Sequence, residues 1–313
     1  MNTPLFEEIG YGVTCIDAQY VSWGMACFYL LESAGEYAVI ETGTKHSVGG
    51  LLACLAQRDI QPEQIRFIIP THVHLDHAGG AGAMMALFPR AQLVIHPRGA
   101  RHMIDPRQLV AASQAVYGEQ LFASLYGDVM PVDEQRVVAA DDGYTLCFGQ
   151  RTLLLRHTEG HARHHFCIWD EHSHGWFTGD MFGICYPWFR FPEGDYLLPS
   201  TTPTQFDPRA YLGSLELLHS YAPRRIYLTH YGMIEYSASK NNALAQQVQA
   251  YRDVALQSCA DDGELEARLS ALALQSIRAL TPSTDAQQLS DWLQFDIPLN
   301  AQGLAHWRST QTA

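Results

Sequence analysis

Residues 70–80 read PTHVHLDHAGG, and this stretch places three imidazoles and one carboxylate within positions 72–77. The apolar run Ile65–Ile69 precedes it and predicts a buried strand, whereas Ala81–Leu87 follows it and predicts a helix. The polar side chains therefore stand on a turn at the end of a strand, where a rigid element directs them into one cleft.

The spacing within this stretch indicates more than one metal ion. His72 and His74 are two residues apart, so in an extended segment they face the same side. Asp76 and His77 lie across the bend and can point at a second centre. The alternative is that these histidines are structural, but several imidazoles in contact at a buried strand end are unfavourable without partners. We therefore expect a metal site here.

The pattern His-x-His-x-Asp-His after a strand resembles the signature of the metallo-β-lactamase superfamily. The resemblance implies an α/β (α+β) fold, namely a four-layer αββα sandwich with a one- or two-metal site along one edge. Four further elements of the family occur in the family's order, one before this pattern and three after it. They are Glu41-Thr42-Gly43, Gly160-His161, Gly179-Asp180 and Thr229-His230-Tyr231-Gly232. The resemblance covers most of the chain, from about residue 10 to about residue 235.

The resemblance implies two ligand sets that share a bridging carboxylate. The first metal would be bound by His72, His74 and His161, the second by Asp76, His77 and His230, and Asp180 would bridge the two. His164 and His165 stay outside the ligand set because only the Gly-His element carries over.

Two elements depart from the family pattern. Glu41 stands where the family usually has Asp, which hydrogen-bonds a ligand histidine from behind. Glu41 can still accept an imidazole N–H, although its reach is longer by one methylene. Glu159 stands where the family often has Pro before Gly160, and we expect this to alter the turn more than the ligand.

The implied chemistry is hydrolytic. Such a site holds two divalent ions about 3.5–4 Å apart with a water between them, and that water is deprotonated near neutral pH. The hydroxide would attack the carbonyl of an ester, thioester or lactone, with Asp76 and Asp180 as the catalytic carboxylates. Nitrogen-rich ligation suits Zn²⁺, while iron and manganese accept similar ligands.

Length and charge narrow the partners. A chain of 313 residues accommodates one large sandwich domain, predicted over 1–236, and a helical extension over 237–313. The formal charge of −13 argues against a nucleic-acid partner, which would require clustered Lys and Arg. We expect a small-molecule substrate and no membrane partner, with a homodimer left open.

The cysteines and the chain start predict a cytoplasmic protein. None of the seven cysteines forms a C-x-x-C pair, and most lie in apolar runs, as buried thiols in a reducing compartment do. They are Cys15, Cys27, Cys54, Cys147, Cys167, Cys185 and Cys259. Residues 1–10 lack the pattern of a signal peptide, and no apolar run is long enough to span a bilayer.

Three segments beyond the motifs carry further expectations. The aromatic run 182–191 after Asp180 either lines an apolar pocket or packs as core. Apolar spacing predicts a helix over Phe206–Tyr221 and others over Asn241–Ser258, Glu264–Leu280 and Asp285–Leu293. The extension resembles in position that of glyoxalase II-type thioesterases, but it lacks a compact basic cluster for a glutathione carboxylate.

Alternatives to the glyoxalase II or lactonase-like hydrolase remain. A sulfur dioxygenase with a single iron keeps a similar motif. A binding or regulatory protein could retain the metal and act through its helical surface. A β-lactamase is disfavoured by the expected absence of export, and a diiron flavoprotein by the histidine at position 74.

Overall fold

A computed structural model describes residues 5–201, 204–258, 262–282 and 284–311. The chain forms two compact units. The first takes in residues up to 157 together with 164–179 and 225–234, and the second takes in 158–163, 180–224 and the residues from 235 onwards. The predicted domain boundary after residue 236 stays a prediction.

The first unit contains a seven-stranded sheet whose spatial order follows the chain. Its strands are β1 (Phe6–Glu8), β2 (Val13–Asp17), β3 (Cys27–Ser33), β4 (Glu36–Ile40), β5 (Ile65–Ile69), β6 (Gln92–Ile95) and β7 (Val137–Ala139). Strands β1 to β4 pair antiparallel, and β4 to β7 pair parallel. The parallel half matters for function because loops leave its strands at one common edge.

A second, six-stranded sheet supplies the other half of the sandwich. Its strands in spatial order are β8 (Thr145–Phe148), β9 (Arg151–His157), β10 (Phe166–Asp170), β11 (Gly175–Gly179), β14 (Arg225–Leu228) and β15 (Gly232–Glu235). Strands β11 and β14 are parallel, so the residues after both leave the same edge. A separate hairpin pairs β12 (Arg190–Phe191) with β13 (Gly194–Asp195).

The alternation of buried residues along β3 explains the layering. Phe28 and Leu30 belong to the core between the first sheet and its helices, whereas Tyr29 and Leu31 belong to the core between the two sheets. Successive side chains of a strand point to opposite faces, so β3 is buried on both sides from Cys27 to Leu31 and carries apolar residues there.

Helices of the first unit follow the parallel strands. They are α1 (Val48–Gln57), α2 (Leu75–Ala78), α3 (Ala81–Leu87), α4 (Pro97–Ile104), α5 (Arg107–Tyr117) and α6 (Glu119–Tyr126). Leu51 of α1, Met84 of α3 and Met103 of α4 pack into the core on the first sheet. Helices α5 and α6 are separated at Gly118, whose φ is +75°.

The second unit is mainly helical. Its helices are α7 (Pro208–Ser220), α8 (Ala238–Gln257), α9 (Asp262–Leu280), α10 (Ala286–Leu293) and α11 (Asp296–Gln311). Helix α11 was not predicted from the sequence, because it carries Pro298 and has no pronounced apolar face. Pro298 is tolerated because it lies in the first turn, where an N–H has no partner within the helix.

Two smaller expectations can be compared with the structure. The six cysteines within the described residues are free thiols; four are buried, and Cys259 lies outside the described residues. Among the described residues, no helix combines the length and the apolar character needed to cross a membrane.

Candidate metal centre

The motif residues follow the carboxyl ends of parallel strands. Glu41 comes directly after β4, His72 shortly after β5, Asp180 directly after β11 and His230 shortly after β14. Residues just past a strand end lie outside the sheet, so their side chains are available for binding, while the buried strand fixes their position.

The first unit brings Asp76, His77 and His230 together. One potential ligand atom from each lies within 4.8 Å of the others. The Nε2 atoms of His77 and His230 are 3.4 Å apart, and Asp76 Oδ2 lies 3.7 Å from the first and 3.5 Å from the second. Both rings are buried, whereas the Asp76 side chain is 21% exposed. The carboxylate is therefore the member of this group that solvent can reach.

The hydrogen bonds behind the two rings determine their tautomers. His77 Nδ1 lies 3.0 Å from Glu41 Oε1 and His230 Nδ1 lies 2.6 Å from the Met25 carbonyl, and both partners can only accept. Each Nδ1 must therefore carry the proton, which leaves lone pairs on the two Nε2 atoms. A proton on one ring would satisfy a single pair, whereas a divalent cation would satisfy all three acceptors, Asp76 included. This donor set fits a metal.

Glu41 is the centre of the hydrogen-bond network behind the first unit's candidate ligands. Besides His77, its Oε1 accepts from the Thr71 hydroxyl at 2.6 Å and from the Thr229 hydroxyl at 3.1 Å. Its Oε2 accepts the Thr71 N–H at 2.9 Å. Thr71 and Thr229 directly precede His72 and His230, so one buried carboxylate ties together the ends of three strands. The expected imidazole contact of Glu41 is present in the structure.

His72 and His74 form the other histidine pair of this unit. His72 Nε2 lies 2.8 Å from His74 Nδ1, and His72 Nδ1 lies 3.1 Å from the Thr71 hydroxyl oxygen. That hydroxyl donates to Glu41, so it accepts from His72 and leaves the Nε2 lone pair facing His74. The two residues converge through ring nitrogens, as the i, i+2 spacing predicts.

A loop that sequence analysis did not single out supports His230. The Asp17 carboxylate accepts the N–H groups of Gln19 at 2.7 Å and Gly24 at 2.9 Å, which folds the segment that presents the Met25 carbonyl to His230. Burial raises the pKa of Asp17. An Asp two residues before its backbone partner is a recognisable turn signal, but nothing local indicates that the turn leads to a histidine 205 positions away.

His161 and Asp180 come together in the second unit. His161 Nε2 lies 3.4 Å from Asp180 Oδ2. Ser200 contacts both, because its hydroxyl donates to Asp180 Oδ2 at 3.0 Å and its carbonyl accepts from His161 Nδ1 at 3.2 Å. The Tyr211 hydroxyl donates to the Asp180 carbonyl at 3.1 Å. Sequence analysis identified neither Ser200 nor Tyr211 as part of the site.

Gly160 explains why a glycine precedes His161. Its φ is +131°, and an added Cβ would lie 2.3 Å from Tyr211 Cα and 2.4 Å from Tyr211 N. The turn that carries His161 thus runs directly against the backbone of α7, and only glycine permits that approach. The Glu159 carbonyl accepts from the Ser214 hydroxyl of α7 at 2.7 Å, so Glu159 is held through its backbone.

The remaining histidines have other surroundings. His165 and His164 lie near His72, with ring centroids 4.9 and 6.1 Å away. His96 is buried and caps α4 by accepting the Arg98 N–H at 3.1 Å, and its ring centroid lies 4.0 Å from that of His157. Burial, followed by the neighbouring His157, lowers the pKa of His96 to about 3.

Two aromatic groups also bear on the question of a pocket. Residues 182–191 pack within the helical unit, where Tyr186 donates to Asp296 at 3.2 Å and the Phe189 ring lies 6.3 Å from Trp292. In the first unit, the Tyr20 and Tyr126 hydroxyls are 3.2 Å apart. Burial, then Tyr20 and then the Asp76 charge, raises the pKa of Tyr126. Tyr126 clusters with Leu75, the residue before Asp76, and Tyr20 packs against that cluster.

Comparison with known proteins agrees with this geometry. The family model described as metallo-beta-lactamase superfamily matches residues 22–230, a range that runs from before Glu41 to His230 and so includes every proposed ligand. The chain belongs to the metallo-β-lactamase superfamily.

Curated relatives are distant. A metallo-beta-lactamase fold-containing protein, ST1585 of Sulfurisphaera tokodaii, is 23% identical over 55% of this chain and 62% of its own length. A bovine protein named acyl-coenzyme A thioesterase MBLAC2 is 25% identical over 56% of this chain and 65% of its own length. The chain thus spans less than two thirds of these relatives.

Solved structures extend the likeness to the whole fold. The archaeal ST1585 structure has a TM-score of 0.67 at 19% identity, covering 94% of this chain and 98% of that one. The metallo-beta-lactamase family protein TTHA1429 of Thermus thermophilus has a TM-score of 0.66 at 22% identity, covering 97% of this chain and 95% of that one. The expected fold class is confirmed: an α/β sandwich with a C-terminal helical region.

Proposed function

We propose that the protein is a metal-dependent hydrolase that cleaves a small ester-type substrate, a thioester or a lactone, at a dinuclear centre. The observation that carries the proposal is the convergence of three acceptors, Asp76 Oδ2, His77 Nε2 and His230 Nε2. Glu41 and Met25 orient the two rings so that their lone pairs meet there. Converging acceptors on a rigid strand edge are what a divalent cation requires.

The proposal assigns the remaining ligands by family. His161 would join His72 and His74 around the first ion, and Asp180 would bridge that ion and the second, which Asp76, His77 and His230 would hold. Superfamily membership and the order of the motifs along residues 22–230 support this assignment. Zn²⁺ suits five imidazoles with two carboxylates, and iron and manganese are compatible.

When bound, the ions supply a deprotonated water near neutral pH and polarise the substrate carbonyl. The chain's own residues orient the attacking water and hold the metal-binding side chains. Asp76 is the partly exposed carboxylate of its group, so it can accept a hydrogen bond from the attacking water and orient it toward the substrate. Asp180, held by Ser200, presents its carboxylate in a fixed direction. Glu41 keeps His77 in the tautomer that binds metal.

The substrate class rests on three observations. A relative is named an acyl-coenzyme A thioesterase. The formal charge of −13 disfavours a polyanionic polymer as substrate. The half-buried Tyr20, whose hydroxyl lies 3.2 Å from that of the buried Tyr126, adds one aromatic side chain with a hydroxyl group, which suits a partly apolar molecule bearing a carbonyl. The protein would act in the cytoplasm on such a small molecule.

The test uses proton release, followed with a pH indicator, from the metal-loaded protein and four panels: acyl thioesters, lactones, phosphodiesters and β-lactams. We expect turnover of thioesters or lactones that is abolished by a chelator and in Asp180→Asn. His102→Ala serves as the control, since His102 lies on α4 beside Arg101.

Other outcomes would redirect the assignment. Turnover of phosphodiesters alone would contradict the ester-type substrate. Absence of turnover with all four panels, from a protein shown to contain metal, would contradict the hydrolase proposal. Oxygen consumption with a persulfide would then identify a sulfur dioxygenase, and its absence would favour a metal-retaining binding protein.

A further inference from the structure

The second unit contains a short segment, residues 199–201, that contacts two of the proposed ligands. Its middle residue, Ser200, donates its hydroxyl to Asp180 Oδ2 at 3.0 Å. The Ser200 carbonyl accepts from His161 Nδ1 at 3.2 Å, and its hydroxyl oxygen lies 3.3 Å from the same nitrogen. Ser200, His161 and Asp180 are all buried, so these hydrogen bonds are shielded from water.

One side chain of the C-terminal helix α11 holds this segment on both sides of Ser200. The Asn300 amide nitrogen donates to the Pro199 carbonyl at 2.9 Å. The Asn300 Oδ1 accepts the Thr201 N–H at 2.9 Å and the Thr201 hydroxyl at 2.8 Å. The Thr201 hydroxyl also lies 3.0 Å from the Asn300 carbonyl. Asn300 is 3% exposed, and its amide uses both its donor and its acceptor on residues 199 and 201.

Helix α11 is itself anchored within the helical unit. It packs against α8 and α9. Its first residue, Asp296, accepts from the Tyr186 hydroxyl at 3.2 Å, and its Ile297, Ala301 and Leu304 are buried. A buried amide with several directional hydrogen bonds to backbone allows one arrangement of the bonded segment, because any shift leaves polar groups unsatisfied.

We propose that Asn300 is a positioning residue for the metal centre: through residues 199–201 it holds Ser200 where Ser200 fixes His161 and Asp180 for metal binding. The inference rests on the proposed function in that it takes His161 and Asp180 as ligands. Helix α11 would thereby contribute to the metal site, although its sequence contains no motif that indicates this role. Residues that orient ligands from behind typically change metal affinity about 10–100-fold when removed.

The experiment measures Co²⁺ binding by its visible absorption, which reports the ligand set without any turnover. Asn300→Ala and Ser200→Ala are each expected to weaken Co²⁺ binding about 10–100-fold and to alter the absorption band. The matched control is Asn241→Ala, which removes another buried asparagine from the helical unit, on α8. Circular dichroism and urea unfolding verify that every variant is folded at the titration temperature.

The double variant separates positioning from a general loss of stability. If Asn300 acts through Ser200, Asn300→Ala with Ser200→Ala binds Co²⁺ about as weakly as the weaker single variant. Multiplying effects, or an equal loss in Asn241→Ala, would overturn the inference. If Asn300→Ala does not fold, the single variants Ser200→Ala and Asn300→Asp are compared with wild type instead. Asn300→Asp keeps the acceptor toward Thr201 and loses the donor toward Pro199.

Hydrolysis by the wild-type protein distinguishes this inference from the proposed function. Ester turnover with unchanged Co²⁺ affinity in the variants would overturn the inference and leave the function standing. Weakened Co²⁺ binding without turnover of any ester would support the inference and contradict the function. A wild-type protein that binds no Co²⁺ would contradict both.

Discussion

The Nδ1 atom of His77 lies 3.0 Å from Oε1 of Glu41, with both side chains buried. Glu41 has a φ of +63°, a left-handed conformation that costs a non-glycine residue energy. The cost is offset by its hydrogen bonds to Thr71, Thr229 and His77. Strained backbone that the surrounding contacts hold in place is found preferentially at active sites and ligand-binding sites.

Glu41→Gln should weaken metal binding. Glu41 accepts the Thr71 N–H with one oxygen and His77 Nδ1 with the other. Gln has one acceptor oxygen, so its NH₂ group must face one of these two donors, and when it faces His77 that ring loses its preferred tautomer. We expect about a 10–100-fold loss of Co²⁺ affinity. Glu36→Gln on β4 is the control, because Glu36 pairs with Arg66 rather than with the site. Equal affinity in the two variants would contradict this role of Glu41.

Metal removal should lower the thermal stability of the protein. A ligand that binds only the folded state adds about 2.7 kcal/mol at a concentration about 100-fold above its dissociation constant. Calorimetry with Zn²⁺ and then with excess chelator should show a lower Tm after chelation. The chelator should lower the Tm of Asp180→Asn less than the Tm of wild type. Identical decreases in Tm would argue against Asp180 as a ligand.

Acid should destabilise the metal-free protein through His96. Its pKa in the folded state, about 3, lies below the ordinary 6.5. The unfolded chain therefore binds the proton first, and the free energy of unfolding falls as pH drops below about 6.5 toward 3. His96→Asn keeps an acceptor for the Arg98 N–H but does not titrate. Urea unfolding at pH 7.5 and pH 5 should show a smaller difference for this variant than for wild type; an unchanged difference would exclude His96 as the source.

Gly160→Ala should cost stability and metal binding together. The new methyl group would lie 2.3 Å from Tyr211 Cα, so the turn carrying His161 must move. Gly143→Ala is the matched control, since Gly143 also has a positive φ, +80°, but meets no atom within 4 Å. We expect Gly143→Ala to lose about 1–2 kcal/mol from backbone conformation alone. Gly160→Ala should lose more in urea unfolding and should also bind Co²⁺ more weakly, whereas equal losses would show that the contact with α7 is unimportant.

Local patterns were sufficient for the parts of the site that lie close together in sequence. The run Ile65–Ile69 followed by closely spaced ligand residues predicts a strand, a turn and converging side chains, and His72 and His74 do converge. This works because strand periodicity and turn formation depend on neighbours a few residues away. The helices α3 and α7 to α10 were predicted for the same reason, to within a few residues at their ends.

What the sequence by itself determined is therefore the family, the sandwich and the candidate ligands, each readable from a short motif. Only the tertiary structure decided which groups orient those candidate ligands. The Met25 carbonyl accepts from His230, and Ser200 contacts both His161 and Asp180. Asn300 in turn bonds Thr201, the residue after Ser200. The donor and acceptor in these contacts lie up to 205 positions apart. A hydrogen bond between such distant groups depends on how whole elements pack, and neither residue type nor local spacing encodes that packing.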